Sequence, residues 1–338
     1  MYLFYPNCNG QFPTNVNCDV ISHVFYAFAI VNSNGTVQLD PELDANGKAV
    51  PANKTCLSTL TNLRDSKHFH LKIILSFGGG SGSANFAAAA STPASRQTFV
   101  NTAKHLIDSH KFNGIDLDWE YPSTPQEGAN FVLLLQALRS VLPAKLYIMS
   151  AAFSNGAWAL QNINLAAAAQ SLDLMNIMTY DFSGSWTPTA GYQSQLYDPA
   201  HLNDPTQGLS CQTAVTYFRS KGVAANKLLL GVPIYGRSFL GATKAGDKYT
   251  GSGGNEGTFD YKDLPRPGTK EQVDSKAVAA YCVGGDGGFV SYDNPETVLM
   301  KAKYVRENGL AGLFYWSGSS DATGARSLAM AGYSALHS

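Results

Sequence analysis

The sequence has little charge and no long hydrophobic run. Charged residues make up 14% of its 338 residues, against roughly 25% in ordinary soluble domains. Lys and Arg (24) nearly balance Asp and Glu (25), so no excess charge favours nucleic acid or an anionic membrane as a partner. No segment approaches the roughly 18 apolar residues that a membrane helix needs. We therefore expect neither partner, and the aromatic content of 11% favours an uncharged ligand.

Cysteine is also scarce, and no C-x-x-C pair is present, which argues against a zinc or redox site and leaves no cofactor predicted. An odd number of cysteines permits two disulfides and one thiol without fixing the pairing: Cys8, Cys18, Cys56, Cys211 and Cys282. Met1 leads into a strand-like YLFYP without a signal-peptide pattern, as in a trimmed secreted chain or a cytosolic protein. Two glycosylation sequons, at Asn34 and Asn53, favour secretion, so we expect a secreted, extracellular protein.

Strand-like and helix-like segments alternate along the chain. Helical patterns include Arg96–Ser109, Gln126–Leu142, Cys211–Gly222 and a segment from Pro295 that ends at Gly309. Eight strands are predicted between the helices, near residues 2–6, 22–31, 71–77, 114–121, 146–153, 173–182, 227–236 and 311–317. Eight strand–helix repeats predict an α/β protein, a (β/α)8 TIM barrel.

About fifty residues rich in Gly, Asp and Lys interrupt this alternation between strands seven and eight. A loop of that length without structure of its own is uncommon. We therefore predict a small α+β insertion at residues 239–289, with the barrel formed by residues 1–238 and 290–338.

We expect the protein to be a monomer.

The segment GIDLDWEY, residues 114–121, places three acids at every second position. Because side chains alternate across a strand, Asp116, Asp118 and Glu120 should share one face and Ile115, Leu117 and Trp119 the other. Enclosing three carboxylates is costly and should raise at least one pKa. A raised pKa makes a carboxylic acid available near neutral pH, so the segment predicts acid–base catalysis. A solvated edge strand and a D-x-D metal site are the alternatives.

The active site of a barrel lies at the C-terminal ends of its strands. Unusual residues fall at five of these predicted ends: Ser76–Gly80, Glu120–Tyr121, Met178–Asp181, Tyr235–Arg237 and Trp316. We expect them to converge on one mouth, with Glu120 the most accessible acid and Asp116 the deepest.

NGIDLDWEYP, residues 113–122, resembles the D-G-x-D-x-D-W-E-Y-P signature of family 18 glycoside hydrolases, the chitinases. Further resemblances cover most of the chain: SHVFYAFA (22–29), SFGG (76–79), MTYDF (178–182), GVPIYGRSF (231–239) and GLFYWS (312–317). The insertion also lies where that family carries one, and its short length is similar to that of fungal enzymes.

The resemblance implies substrate-assisted hydrolysis of β-1,4-linked N-acetylglucosamine with retention of configuration. Glu120 would be the acid and later the base, and the 2-acetamido carbonyl of the sugar would be the nucleophile. Asp118 would orient the acetamido group and stabilise its positive charge. Asp116 would hydrogen-bond Asp118 and share a proton with it, and the Tyr180 hydroxyl would donate to the acetamido carbonyl. Chitin and its oligomers are the implied partners, with no metal.

The resemblance also implies sugar contacts from further residues. The Trp316 ring would lie beneath the sugar that precedes the cleaved bond and support it. The alternative is an ordinary core tryptophan. Core filling is also an alternative for Met178 and Phe28, and Gly79 would let the backbone approach the site. The remaining substrate-contacting positions are Asp181, Tyr235 and Arg237.

Three positions depart from the family pattern. Asn113 replaces the first Asp of the signature, a position that we interpret as structural. Gly80 and Cys8 stand where many members carry Trp, which indicates a more open groove and endo action.

Two other functions remain open. A chitin-binding lectin on the same barrel would typically lack the acid at position 120. An endo-β-N-acetylglucosaminidase acting on N-glycans would share the D-x-D-x-E pattern.

Overall fold

The structure is a computed structural model that describes residues 1–4, 16–44, 46–202 and 205–338. The chain divides into two units, the first comprising Met1–Asn176 and Lys221–Lys227 and the second Ile177–Ser220 and Leu228–Ser338. Cys8 lies outside the described residues, so its predicted effect on the groove stays a prediction.

The predicted (β/α)8 barrel is confirmed. Its eight strands pair in the order β1-β2-β4-β5-β6-β7-β8-β14, and a two-residue strand, β3 (Val37–Gln38), pairs antiparallel with β2. The barrel strands are β1 (Tyr2–Phe4), β2 (His23–Val31), β4 (Lys72–Gly78), β5 (Gly114–Asp118), β6 (Ile148–Ser154), β7 (Leu174–Met178), β8 (Leu228–Pro233) and β14 (Gly312–Trp316).

Helices lie between the strands and begin at polar caps. Thr92 and Asn294 each form a capping box with the residue three positions later, and a proline follows each cap. Gly309 has φ +63° just beyond the predicted helix from Pro295, in agreement with a C-terminal glycine cap. The helices are α1 (Cys56–Ser66), α2 (Phe86–Ser91), α3 (Pro93–Ser109), α4 (Pro125–Val141), α5 (Ala157–Leu160), α6 (Leu165–Ser171), α7 (Cys211–Ser220), α8 (Pro295–Glu307) and α9 (Leu328–Leu336). In the described part of the chain, no helix is long and apolar enough to cross a bilayer.

Strand β5 ends earlier than predicted. Its pairing with β4 stops at Gly78 and Asp118, so Trp119, Glu120 and Tyr121 follow the strand rather than continue it. The physical reason lies at the end of β4, where Gly78 and the following Gly79 have φ angles of +103° and +75°. Backbone in that region leaves the extended conformation and removes the ladder on which β5 would continue.

The apolar side of the GIDLDWEY segment packs against helices, as predicted. The Trp119 ring stacks on Phe86 of α2 with centroids 5.4 Å apart and meets Phe131 of α4 edge-on at 6.0 Å. Each residue of β5 is buried, and strands β4 and β6 flank it on both sides. A solvated edge strand is therefore the wrong interpretation of this segment.

A second, five-stranded antiparallel sheet lies within the second unit. Its order is β10-β9-β13-β12-β11, formed by β9 (Tyr235–Phe239), β10 (Thr258–Asp260), β11 (Glu271–Asp274), β12 (Ala279–Gly284) and β13 (Gly288–Tyr292). The predicted insertion, residues 239–289, covers most of these strands, and its independence from the barrel stays a prediction.

A fully buried ion pair fastens α8 to the end of β13. Lys301 Nζ lies 2.6 Å from Asp293 Oδ2, and both side chains are 0% exposed. The carboxylate also accepts hydrogen bonds from the Ser194 and Thr297 hydroxyls. Buried charges require such partners, so this network is a structural anchor.

Three of the cysteines, Cys18, Cys211 and Cys282, are buried and form no disulfide in the described part of the chain. Burial raises the pKa of the Cys18 and Cys211 thiols to about 11. These thiols are therefore inert core side chains at neutral pH.

Candidate active site

The three acids of GIDLDWEY lie at increasing exposure along the chain. Asp116 is 0% exposed and Asp118 is 4% exposed, whereas Glu120, just beyond β5, is half-buried. The predicted order of accessibility is therefore confirmed.

Asp116 is held by four hydrogen-bond donors from four strands. Its Oδ2 accepts from Tyr2 Oη at 2.8 Å and Ser76 Oγ at 2.6 Å, and its Oδ1 accepts from Ser150 Oγ at 2.6 Å and Asn176 Nδ2 at 3.2 Å. The parallel register places Ser76 and Ser150 directly opposite Asp116 on the neighbouring strands. These donors hold one carboxyl group rigidly at the base of the acidic face.

The predicted hydrogen bond between Asp116 and Asp118 is wrong. Both oxygens of Asp116 already accept two hydrogen bonds each, and none joins the two carboxyl groups in the residues described. Their interaction is electrostatic instead. The same saturation leaves Asp116 poorly suited to a D-x-D metal site, because its lone pairs are occupied.

Asp118 lies in the least favourable environment for a charged carboxylate among the three acids. Burial first, and then the charges of Glu120 and Asp116, raise the pKa of its carboxyl well above the usual range. Its buried Oδ1 has no hydrogen-bond partner among the described residues. A buried oxygen without a partner is costly, and a ligand that donates a hydrogen bond to it would relieve that cost.

Ser83 positions the backbone around Asp118 and Glu120. Its hydroxyl accepts from the Glu120 N–H at 2.8 Å and lies within hydrogen-bonding distance of the Gly79 and Asp118 carbonyls, at 2.8 and 3.1 Å. Sequence reasoning missed this residue, because a serine in the polar loop SGSANF gives no signal of its own.

Gly79 and Phe28 lie against each other beside this loop. A Cβ built at Gly79 would lie 2.4 Å from Phe28 Cε2, so no side chain fits there. The Gly79 N–H donates to the Asp118 carbonyl at 2.9 Å. Glycine at this position therefore allows the Phe28 ring, which is half-buried, to lie against the backbone, and a sugar contact of either residue stays a prediction.

In the second unit, Asp181 organises two of the predicted substrate-contacting residues. Arg237 binds its carboxylate through two N–H···O contacts, each 2.8 Å long, and Tyr235 Oη donates to Oδ1 at 2.7 Å. Bidentate pairs of this kind fix orientation as well as charge. The structure thus brings Asp181, Tyr235 and Arg237 together as one rigid group.

Tyr180 lies next to that group. Its ring meets Tyr235 edge-on at 6.3 Å and Phe314 at 6.1 Å. Met178 is 9% exposed at the end of β7, and Trp316 is half-buried at the end of β14.

Trp186 is an additional site candidate in the second unit. It is 57% exposed, and the Arg237 guanidinium lies over its ring, 4.8 Å from the centroid. Its signal in the sequence is proximity to the MTYDF motif, only a few residues downstream.

Asn113 has the structural role that its position indicated. Its Oδ1 accepts from the Ile73 N–H at 2.8 Å, and its own N–H donates to the Ile73 carbonyl at 2.6 Å. These bonds fix the start of β5 against β4 and keep the side chain away from the three acids.

Comparison with known proteins gives a consistent result. The model of the family described as "Glycosyl hydrolases family 18" matches residues 2–321. Endochitinase 1 of Metarhizium robertsii is 34% identical over 338 aligned residues, 94% of this chain and 79% of that protein. Chitinase 1 of Aphanocladium album is 33% identical, covering 96% of this chain and 82% of that protein.

Among solved structures, a class V chitinase from Nicotiana tobaccum in complex with NAG4 is similar, with a TM-score of 0.87 at 25% identity. The match covers 100% of this chain and 98% of that one. With the family model spanning the barrel strands and the acidic segment, the chain belongs to family 18 of the glycosyl hydrolases.

Proposed function

We propose that this protein is a retaining, endo-acting chitinase that hydrolyses β-1,4 bonds between N-acetylglucosamine units. The observation that carries the proposal is the buried Asp118, whose Oδ1 has no partner, next to the half-buried Glu120. An amide N–H of a substrate is the kind of donor that Asp118 lacks.

Glu120 is the acid in this proposal. It protonates the glycosidic oxygen as the bond to the sugar carbon breaks, so that the leaving sugar departs as an alcohol. Burial, followed by the charges of Glu120 and Asp116, raises the pKa of Asp118 well above its usual range, so Asp118 retains its proton at a pH where isolated carboxyl groups are ionised.

The substrate supplies the nucleophile. Its 2-acetamido carbonyl oxygen attacks the sugar carbon and forms an oxazolinium ion, while Asp118 accepts a hydrogen bond from the acetamido N–H. The developing positive charge favours the Asp118 anion. Water then attacks the same carbon, Glu120 takes its proton, and two inversions leave the configuration retained.

The remaining predicted residues bind sugar. The Tyr180 hydroxyl donates to the acetamido carbonyl, and the Trp316 ring supports the sugar that precedes the cleaved bond. Asp181, held by Arg237 and Tyr235, accepts sugar hydroxyls, and Met178 offers an apolar contact to the sugar.

The proposal of endo action rests on Gly80, which places no side chain on one flank of Glu120. A Cβ built at Gly80 would lie 3.7 Å from Glu120 Oε1. Many members of the family that the sequence resembles carry Trp at this position. With this flank open, long chains can enter from the side.

We expect the protein to cleave internal bonds of an N-acetylglucosamine hexamer, as measured by chromatography of the products in the first minutes of hydrolysis. Release of monomer or dimer units alone from one end would contradict endo action.

Replacing Trp186 with Ala should raise KM for the hexamer by about tenfold, because an exposed aromatic ring offers a stacking face for a sugar. Steady-state kinetics provide the measurement, with Leu299→Ala as the control, since Leu299 is an exposed apolar residue on α8. An unchanged KM would remove Trp186 from the site.

The two rival functions give different results in the same assay. A lectin would bind the hexamer without cleaving it, although Glu120 is present. An endo-β-N-acetylglucosaminidase would release N-glycans from a glycoprotein and leave the hexamer intact.

We also propose that the protein is secreted and acts as a monomer. Asn34 and Asn53, the two sequon residues, are both exposed, and the proposed chemistry uses residues of one chain only.

A further inference from the structure

Trp158 is one of the largest apolar side chains on the surface of the first unit. It is 68% exposed, in the short helix α5 that follows β6. An indole left in water forgoes the burial that normally stabilises a tryptophan. Tryptophan combines a large apolar face with a polar N–H, and it is enriched at binding interfaces. The sequence did not single out this residue.

The Trp158 ring is held in place rather than free. A Cβ built at Gly156 would lie 2.5 Å from Trp158 Nε1, so the indole rests against bare backbone. The other contact is Tyr121, whose ring meets the indole edge-on with centroids 5.5 Å apart. A fixed aromatic ring loses little entropy when a ligand stacks on it.

Tyr121 directly follows Glu120 in the chain and connects this arrangement to the proposed acid. Burial first, and then the charge of Glu120, raise the pKa of the Tyr121 phenol, and the Ser154 side chain acts in the opposite direction. Ser154 Oγ also accepts from the Gly156 N–H at 3.2 Å. Trp158 is therefore linked to the residue next to the proposed acid through its ring contact with Tyr121.

The order of these contacts indicates on which side of Glu120 the indole lies. Asp118, the last residue of β5, interacts with Glu120 through its charge, whereas Trp158 follows β6, the strand on one flank of β5, and contacts Tyr121. In the proposed function, the acetamido sugar contacts Asp118 and the cleaved oxygen contacts Glu120. The sugar beyond that oxygen, on the side of Tyr121, is the leaving group.

The opposite flank of Glu120 offers no such surface. Gly80 follows β4, the strand on the other side of β5, and has no side chain with which to stack. Of the two strand ends that flank β5, only that of β6 carries an exposed aromatic ring close to Glu120 in the described residues.

We propose that Trp158 is a stacking platform for the N-acetylglucosamine unit on the leaving-group side of the cleaved bond. This inference rests on the proposed function for the identity of the sugar and the direction of the chain. It assigns to the loop after β6 the aglycone binding that Gly80 cannot provide.

Affinity for the hexamer tests the platform without turnover. Calorimetry would compare Glu120→Gln with the double variant Glu120→Gln/Trp158→Ala, and we expect the dissociation constant to rise about tenfold. Trp158→Phe should lose less, because a ring remains. Phe69→Ala is the matched control, since Phe69 is 73% exposed and precedes β4 at its opposite end. An equal affinity for all these variants would overturn the proposal.

Kinetics on two substrates test the side on which the platform lies. In the otherwise wild-type protein, Trp158→Ala should lower kcat/KM for the hexamer about tenfold. Hydrolysis of β-chitobiosyl fluoride, whose leaving group is a single atom, should change by less than about twofold. Equal losses on both substrates would instead mean that Trp158 acts by positioning Glu120 through Tyr121.

The same experiments separate this inference from the proposed function. If the wild-type protein hydrolyses neither substrate, the proposed chitinase activity fails, and the hexamer affinities still decide whether Trp158 binds sugar. If the wild type hydrolyses both and Trp158→Ala behaves identically, the platform fails and the chitinase assignment stands.

Discussion

Glu120→Gln is expected to lower kcat for the N-acetylglucosamine hexamer by about 10⁴-fold, near the upper end of what general acid–base catalysis contributes. Gln keeps the size and hydrogen-bonding capacity of the side chain but has no proton to give to the leaving oxygen. Hexamer affinity should therefore stay close to that of the wild type. Initial rates by chromatography and calorimetric titration measure the two quantities.

The control for this change is Glu307→Gln, the same substitution in an exposed acid at the end of α8. It should leave the rate unchanged. A Glu120→Gln variant that keeps more than a tenth of the wild-type rate would exclude Glu120 as the acid.

Asp118→Asn is expected to lower kcat about 10²-fold or more, because a neutral amide cannot stabilise the positive oxazolinium ion. The same variant should be more stable than the wild type at neutral pH. Burial raises the pKa of Asp118 well above 3.8, so an ionised Asp118 destabilises the folded protein, and Asn removes that charge.

The pH dependence gives the sign of this stability effect. A carboxyl group whose pKa rises on folding costs stability as the pH rises through its unfolded-state value, and the cost is complete above its folded-state pKa. The Tm of Asp118→Asn should therefore exceed that of the wild type by about 2 °C or more at pH 7. The difference should shrink as the pH falls towards 3.8, the ordinary value for this group.

Asp116→Asn provides the contrast. Its carboxylate oxygens accept hydrogen bonds from four donors, and an amide would direct N–H groups towards some of those donors. We expect this variant to be less stable than the wild type at pH 7 by about 1–3 kcal/mol. If scanning calorimetry found Asp116→Asn stabilised and Asp118→Asn destabilised, the assignment of roles within the acidic face would be reversed.

The alternation of acids in GIDLDWEY was readable from the sequence because strand geometry is local. Asp116 and Asp118 share a face by the period of two, and the apolar neighbours pack on helices α2 and α4. The extent of the strand was not readable, because β5 ends where Gly78 and Gly79 turn β4 away. That cause lies in a different strand.

The partners of Asp116 could not be predicted for a similar reason. Ser76 and Ser150 oppose it only through the register of two parallel pairings, and Tyr2 and Asn176 come from strands still further along the sheet. Sequence alone does not specify register between strands that are distant in the chain. A polar signal existed, since Ser76 and Ser150 each lie between apolar residues in their strands, KIILSFG and IMSAAFS.

The exposed fraction of each tryptophan side chain could not be predicted from the sequence either. Trp119 is 5% exposed and Trp158 is 68% exposed, although both follow buried strands of the barrel. The difference arises from packing, since Trp119 enters a layer of helices and Trp158 lies over Gly156. The family resemblance supplied the roles of Tyr180, Asp181 and Trp316, which periodicity could not.

The most direct test of the central claim is proton NMR of the products in the first minutes of hexamer hydrolysis by the wild-type protein. Substrate-assisted catalysis through Asp118 and Glu120 predicts that the β-anomer appears first and then mutarotates. An initial α-anomer would mean direct attack by water and would contradict the proposed role of the acetamido group.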